Sequence, residues 1–153
     1  MTAAARPAPG ARAVGSIRLI MLATDLSAAS EGAAVQALDL AHDLGADLLV
    51  MSALDPRPVR NDRVAFRLDR LRAERELAAQ DLVARGRGRG VAVRFLIWDG
   101  PPGEAIVDVA RSEQVDLVVV GSHGRGAVGR FFVGSVSEHV VRHAPCPVLV
   151  VRS

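Results

Sequence analysis

Lysine and tyrosine are absent from this chain, cysteine occurs once, and aromatic residues make up only 3% of it. The single cysteine, Cys146, excludes an internal disulfide and makes a reducing cytoplasm the natural compartment. Flanked by Pro145 and Pro147, it reads as a small buried side chain in preference to a reactive thiol. Half of the residues are hydrophobic, yet no apolar run approaches the ~20 residues that span a bilayer. Met1 to Gly15 holds Ala, Arg, Pro and Gly with no apolar stretch, so residues 1–15 are expected to form a disordered tail rather than a signal peptide or anchor. A soluble, cytoplasmic protein with no membrane partner is expected.

Without lysine, all 19 basic residues are arginine, and against 17 acids they leave a net charge of only +2. The sequence pI of 9.8 therefore reflects the high pKa of arginine more than a large positive excess. A nucleic-acid footprint needs the bases clustered on one face. Here they interleave with acids, as in Arg67-Leu68-Asp69-Arg70-Leu71-Arg72-Ala73-Glu74-Arg75-Glu76, which reads as a solvated helix face. No nucleic-acid partner is expected. The histidines, at 42, 123, 139 and 143, form no metal-ligand cluster and accompany no catalytic set.

What the chain does have is the stretch from Asp116 to Ser135, DLVVVGSHGRGAVGRFFVGS. Leu117 to Val120 is a short β-branched run that reads as a buried parallel strand. Glycines follow at 121, 124, 126, 129 and 134, and Ser135-Val136-Ser137-Glu138 has the S-x-x-E pattern of a capping box. Glycine lets backbone N–H groups converge on phosphate oxygens, and the helix N-terminus adds free donors and the positive end of its dipole. Ser135 has two readings here, helix cap or phosphate ligand. Gly124 to Gly129 also contains a G-x-G-x-x-G string, but the dinucleotide fingerprint requires an acid at the end of the next strand, and Val148 to Val151 has none. A hydride-transfer enzyme is not expected.

Along the rest of the chain, strands are expected at Ile17 to Thr24, Leu48 to Ala53, Val91 to Ile97, Leu117 to Val120 and Val148 to Val151. A helix is expected after Ser27, read as its N-cap, with Ala34, Ala37, Leu38, Ala41 and Leu44 at helical spacing and Gly45 closing. Others fall from about Asn61 to Arg85, after Pro101-Pro102 with Ile106, Val109 and Ala110 buried, and from about Ser135 to His143. Gly86-Arg87-Gly88-Arg89-Gly90 reads as the turn between helix and strand, and Trp98-Asp99-Gly100-Pro101-Pro102 as another. Five strands alternating with helices argue for an α/β, five-stranded parallel, doubly wound sheet in a single domain. In such sheets ligands bind beyond the carboxyl ends of the strands, where Thr24-Asp25, Ser52-Ala53 and Gly121 fall. Asp25 reads either as a ribose or magnesium ligand or as the turn residue that starts the first helix.

The spacing Gly121-x2-Gly124-x9-Gly134-Ser135, with Asp116-Leu117-Val118 before it and Ala144-Pro145-Cys146-Pro147-Val148-Leu149-Val150 after it, resembles the universal stress protein family, whose ATP-binding members carry G-x2-G-x9-G-[ST]. The resemblance covers Ser16 to Arg152, so residues 16–153 are read as one universal stress protein domain. It implies a Rossmann-like fold of the adenine nucleotide alpha hydrolase type. It also implies ATP, with or without magnesium, lying across the first and fourth strands. Carried onto this chain, Ala23, Thr24 and Asp25 match the segment beside the nucleoside and Ala53 the residue next to the adenine. Gly121, Ser122, His123, Gly124, Arg125, Gly134, Ser135 and Val136 match the phosphate loop, with His123 as a loop contact rather than a base. Ala53 is smaller than the branched residue usual there. The family also commonly dimerises through its last strand, here Val148 to Val151, an apolar edge that is otherwise an aggregation hazard.

Three functions fit this reading. The first is an ATP-binding regulatory module acting as a homodimer, with ATP not distinguished from AMP or another adenine nucleotide. The second is an enzyme on ATP, at its weakest a slow ATPase; the H-x-G-H and S-G-G-x-D-S motifs of α-phosphate-cleaving relatives are missing from Ala23-Thr24-Asp25-Leu26-Ser27. The third is a nucleotide-free interaction module, against which the intact glycine pattern argues.

Overall fold

The structure is a computed structural model that describes residues 16–55, 62–122 and 134–152, with side chains from residue 66 onward in the second of these segments. The N-terminal stretch 1–15, expected to be a tail, lies outside the described residues. Five strands, β1 (Leu19–Ala23), β2 (Asp47–Leu54), β3 (Val93–Asp99), β4 (Leu117–Gly121) and β5 (Val148–Val151), form one sheet in the order β3-β2-β1-β4-β5. All four pairings are parallel. Between the strands run α1 (Glu31–Leu44), α2 (Asp62–Gly88), α3 (Pro102–Ser112) and α4 (Ser135–His143). The expected doubly wound α/β architecture is the one found.

The strands read as nearly continuous apolar runs because both faces of the sheet are covered. The strand period of two divides them between two cores. Met21, Leu49, Met51, Val118 and Val120 pack with Ile106, Val109 and Ala110 of α3 and Val140 of α4. Ile20, Leu22, Leu48, Val50 and Val119 pack with Ala34, Ala37, Leu38 and Ala41 of α1 and Leu82 of α2. At about 25 cal/mol per Å² of apolar area, these fully buried strand residues supply the dominant favourable term.

Several boundaries differ from expectation. The first strand starts at Leu19 rather than Ile17: the Arg18 and Leu19 amides donate to one carboxylate oxygen of Asp116, at 2.9 and 3.0 Å, which pins the strand entrance. Ser27 does not cap α1. It precedes a short 3-10 turn (Ala28–Ser30), and neither Ser27 nor Ser30 makes a side-chain capping bond. Gly45 closes α1 as expected, at φ 63°, where only glycine is at ease. Helix α2 runs to Gly88, so the glycine–arginine run contributes its first three residues to the helix and turns only at Arg89-Gly90. Gly86 is needed for a close approach: a Cβ there would lie 2.2 Å from Val93 Cγ2 of β3. Trp98 and Asp99, expected in a turn, continue β3 opposite Ala53 and Leu54, and the turn begins at Gly100.

Along α2 the apolar stripe expected through Leu68, Leu71, Ala78 and Leu82 is half-buried to buried, and Arg75, expected on the solvated flank, is half-buried beside it, one turn before fully buried Ala79. Cys146 is half-buried against the α3/α4 core rather than fully enclosed, and it is not in a disulfide. No helix among the described residues is long and apolar enough to cross a membrane.

Candidate functional site

The strand order reverses at β1, whose neighbours are β2 on one side and β4 on the other, with Ala23 level with Val120 and Met51. Chains leaving β1 and β4 diverge toward opposite faces of the sheet, and the gap at their carboxyl ends is the crevice of a doubly wound fold. Thr24, Asp25, Gly121 and Ser122 therefore stand at its rim by topology alone.

The glycine loop is anchored at both ends. The Gly134 amide donates to the Ser122 carbonyl at 3.3 Å, and the Ser122 amide donates to the Val151 carbonyl at 2.8 Å. The buried Ser137 hydroxyl, in the first turn of α4, donates to the Gly121 carbonyl at 2.8 Å. Ser122 and Gly134, the described residues on either side of 123–133, are thus held together at the strand tip. His123, Gly124 and Arg125 fall within that span and lie outside the described residues.

Helix α4 opens directly at this clamp. Its N-cap is Gly134, and Ser135 is its first residue with no side-chain capping bond, so the capping box read from S-x-x-E is not formed. A capping side chain must sit one position before the helix; Ser135 is already inside it. Of the two readings for Ser135, the cap is thereby removed, and its side chain is exposed. The first intrahelical bond here runs from the Glu138 amide to the Gly134 carbonyl. The amides of Ser135, Val136 and Ser137 accordingly have no intrahelical acceptor, and they sit at the positive end of the helix dipole.

Opposite the clamp, the chain leaving β1 is held by its own side chains. The Thr24 amide continues the ladder to the Met51 carbonyl at 3.0 Å. Thr24 Oγ1 accepts from the Leu26 amide and donates to Ser30 Oγ, both at 2.9 Å. Asp25 Oδ1 accepts from the Ser27 amide at 2.9 Å, so its turn role is realised. A carboxylate has about four acceptor positions, and this bond is compatible with a second role. Ala23 is buried with its side chain in the α3/α4 core, leaving only its backbone toward the crevice.

Ala53, half-buried near the end of β2, carries a partner that the sequence reading did not foresee. Arg75 of α2 donates from Nη1 to the Ala53 carbonyl at 2.7 Å and to Ser52 Oγ at 2.9 Å. Its spacing with Leu71, Ala78, Ala79 and Leu82 is the signal that places it on the buried stripe of the helix. Ser137, two residues past Ser135, was likewise not singled out.

Among the described residues no group of three or more His, Cys, Asp or Glu is arranged to hold a metal ion. His139 and His143 stack on each other along α4, with ring centroids 4.3 Å apart, and His42 bonds the Arg89 carbonyl at the other end of the sheet. Neither arrangement supplies a base to the crevice.

The model of the universal stress protein family matches residues 16–152. The chain belongs to that family. The universal stress protein encoded in the QAH/OAS sulfhydrylase 3′ region of Thermus aquaticus is 40% identical over 141 residues, covering 88% of this chain and 98% of that one. The solved structure of the universal stress protein UspA from Lactobacillus plantarum superposes with a TM-score of 0.76 at 28% identity, over 90% of this chain and 99% of that one. The fold is also shared with three universal stress proteins solved with adenine nucleotides. One is in complex with cAMP, one from Archaeoglobus fulgidus with dAMP and one from Arabidopsis thaliana with AMP, at TM-scores of 0.69, 0.67 and 0.66 and identities of 24, 21 and 21%.

Proposed function

We propose that this universal stress protein is a regulatory module that binds an adenine nucleotide, ATP in the first instance, and acts as a homodimer. The observation that carries this reading is the clamp at the ends of the glycine loop. Gly121, Ser122 and Gly134 are tied together beside Thr24 and Asp25, with the unpaired amides of the first turn of α4 and the exposed Ser135 hydroxyl at the same place. That donor set suits phosphate oxygens, which helix N-termini and glycine loops bind through backbone N–H groups. In this reading His123, Gly124 and Arg125 complete the phosphate loop. Asp25 holds the ribose, and the end of β2 at Ala53 lies against the base. The family members solved with cAMP, dAMP and AMP support the ligand class.

Magnesium fits as a companion of the phosphates rather than as a resident ion, since it keeps several waters and needs only one or two carboxylates beside phosphate oxygens. Asp25 is the carboxylate on hand. The dimer reading rests on β5, an edge strand whose four apolar residues are all half-buried in the isolated chain. Edge-to-edge pairing with a second copy covers such a strand.

Calorimetric titration of ATP with magnesium into wild type and Gly124→Val tests the nucleotide reading, alongside analysis of small molecules released when freshly purified protein is denatured. Micromolar binding, or co-purified nucleotide, that the valine abolishes is expected; a well-folded wild type that binds no adenine nucleotide overturns it. Sedimentation at micromolar concentration tests the dimer, and a monomer there rejects it.

A further inference from the structure

A cavity of about 220 Å³ lies between α1 and α2, floored by Thr24, Ser27 and Ser30 of the turn that follows β1. None of Gly121, Ser122, Gly134 or Ser135 lines it. It is larger than the ~150 Å³ cavity known to take a benzene-sized guest. We propose that this cavity is a second binding site, for a small aliphatic ammonium compound.

The interior offers hydrogen-bond acceptors and few donors. Ser27 Oγ is buried with no hydrogen-bond partner. Thr24 donates its hydroxyl hydrogen to Ser30 Oγ, and Ser30 donates its own to the Ser27 carbonyl at 2.8 Å. Both of these hydrogens are used within the turn, so Thr24 and Ser30 offer the cavity only oxygen lone pairs, while the Ser27 hydroxyl can accept or donate. A buried hydroxyl left without a partner costs free energy, and a ligand bearing several N–H groups satisfies it.

The walls are apolar, formed by Leu26, Ala34, Ala78 and Leu82. They suit a short hydrocarbon chain. The remaining lining groups are Glu31, Asp81 and Arg85. Arg85 lies between the two carboxylates, 2.7 Å from Glu31 and 3.6 Å from Asp81. One cation against two anions leaves the rim at a formal charge of −1. The guanidinium, whose pKa is raised first by its hydrogen bond to Glu31, is committed to those acids and is a poor receptor for an added anion. A cationic head with an aliphatic body matches all three surfaces at once, whereas a carboxylate meets repulsion and a pure hydrocarbon leaves Ser27 unsatisfied.

The test is a ¹⁵N NMR titration of the full chain with butylammonium, butanol and butyrate in parallel. Saturable shifts at Ser27, Ala34 and Ala78 are expected with butylammonium, at least tenfold tighter than with butanol and absent with butyrate. Ala78→Leu, which fills the cavity, is expected to abolish the response, and Ser27→Ala to weaken it severalfold with the fold retained by thermal melting. No saturable response to butylammonium, or equal responses to all three probes, overturns the proposal. So does a response that survives both variants. ATP binding is read in its own titration, so failure of either site is distinguishable from failure of the other.

Discussion

The Ser137 hydroxyl donates to the Gly121 carbonyl at 2.8 Å, joining the first turn of α4 to the last residue of β4 across the whole glycine loop. The bond spans 16 residues of sequence and is made by a buried side chain. It ties the end of β4 to the start of α4.

Ser137→Ala is therefore expected to cost about 1–3 kcal/mol of stability, the range for leaving a buried acceptor without its donor. It should also weaken ATP binding with Ser135 still in place. Urea denaturation and calorimetry on the same preparation check both effects; unchanged stability and affinity would show that the clamp does not matter.

Gly86→Ala and Gly88→Ala form a matched pair two residues apart in α2. A Cβ at Gly86 would meet Val93 Cγ2 at 2.2 Å and the Val91 carbonyl at 3.0 Å, whereas at Gly88 nothing lies within 4 Å. The first substitution is expected to destabilise by about 1–3 kcal/mol through overpacking. The second should stabilise by about 0.4–1 kcal/mol by restricting the unfolded chain. Thermal melts of the two variants should shift in opposite directions.

Arg75→Met retains an unbranched aliphatic stem but removes the donors to Ser52 and Ala53. A loss of about 1.5–3 kcal/mol is expected, the range for hydrogen bonds to a charged group. Arg75→Lys should recover only part of it, because an ammonium does not reproduce the planar fork. If the end of β2 lies against the base, both variants also weaken adenine nucleotides more than inorganic triphosphate, measured by competition.

Much of the architecture is legible in the residues themselves. The apolar runs at Leu48 to Val50 and Leu117 to Val120 announce strands buried on both faces, and the Ala/Leu spacing from Ala34 to Ala41 announces the packed face of α1. The glycine spacing carries the expectation of a phosphate loop, because glycine leaves the backbone room to approach a bulky anion. The end points were less legible. Ser27 and Ser135 both have the composition of caps, yet neither caps, since a cap depends on backbone angles that the neighbouring elements impose.

Local pattern, then, determined the elements, their order and the family to which the chain belongs, because side-chain periodicity and glycine placement act over a few residues. Tertiary structure alone decided which polar groups meet. Asp116 reaches the entrance of β1, Arg75 reaches the end of β2, and Ser137 reaches back to β4. These contacts join residues 98, 22 and 16 positions apart, so no local spacing rule encodes them. They form only when burial of the two cores brings the elements together and leaves those backbone groups in need of partners.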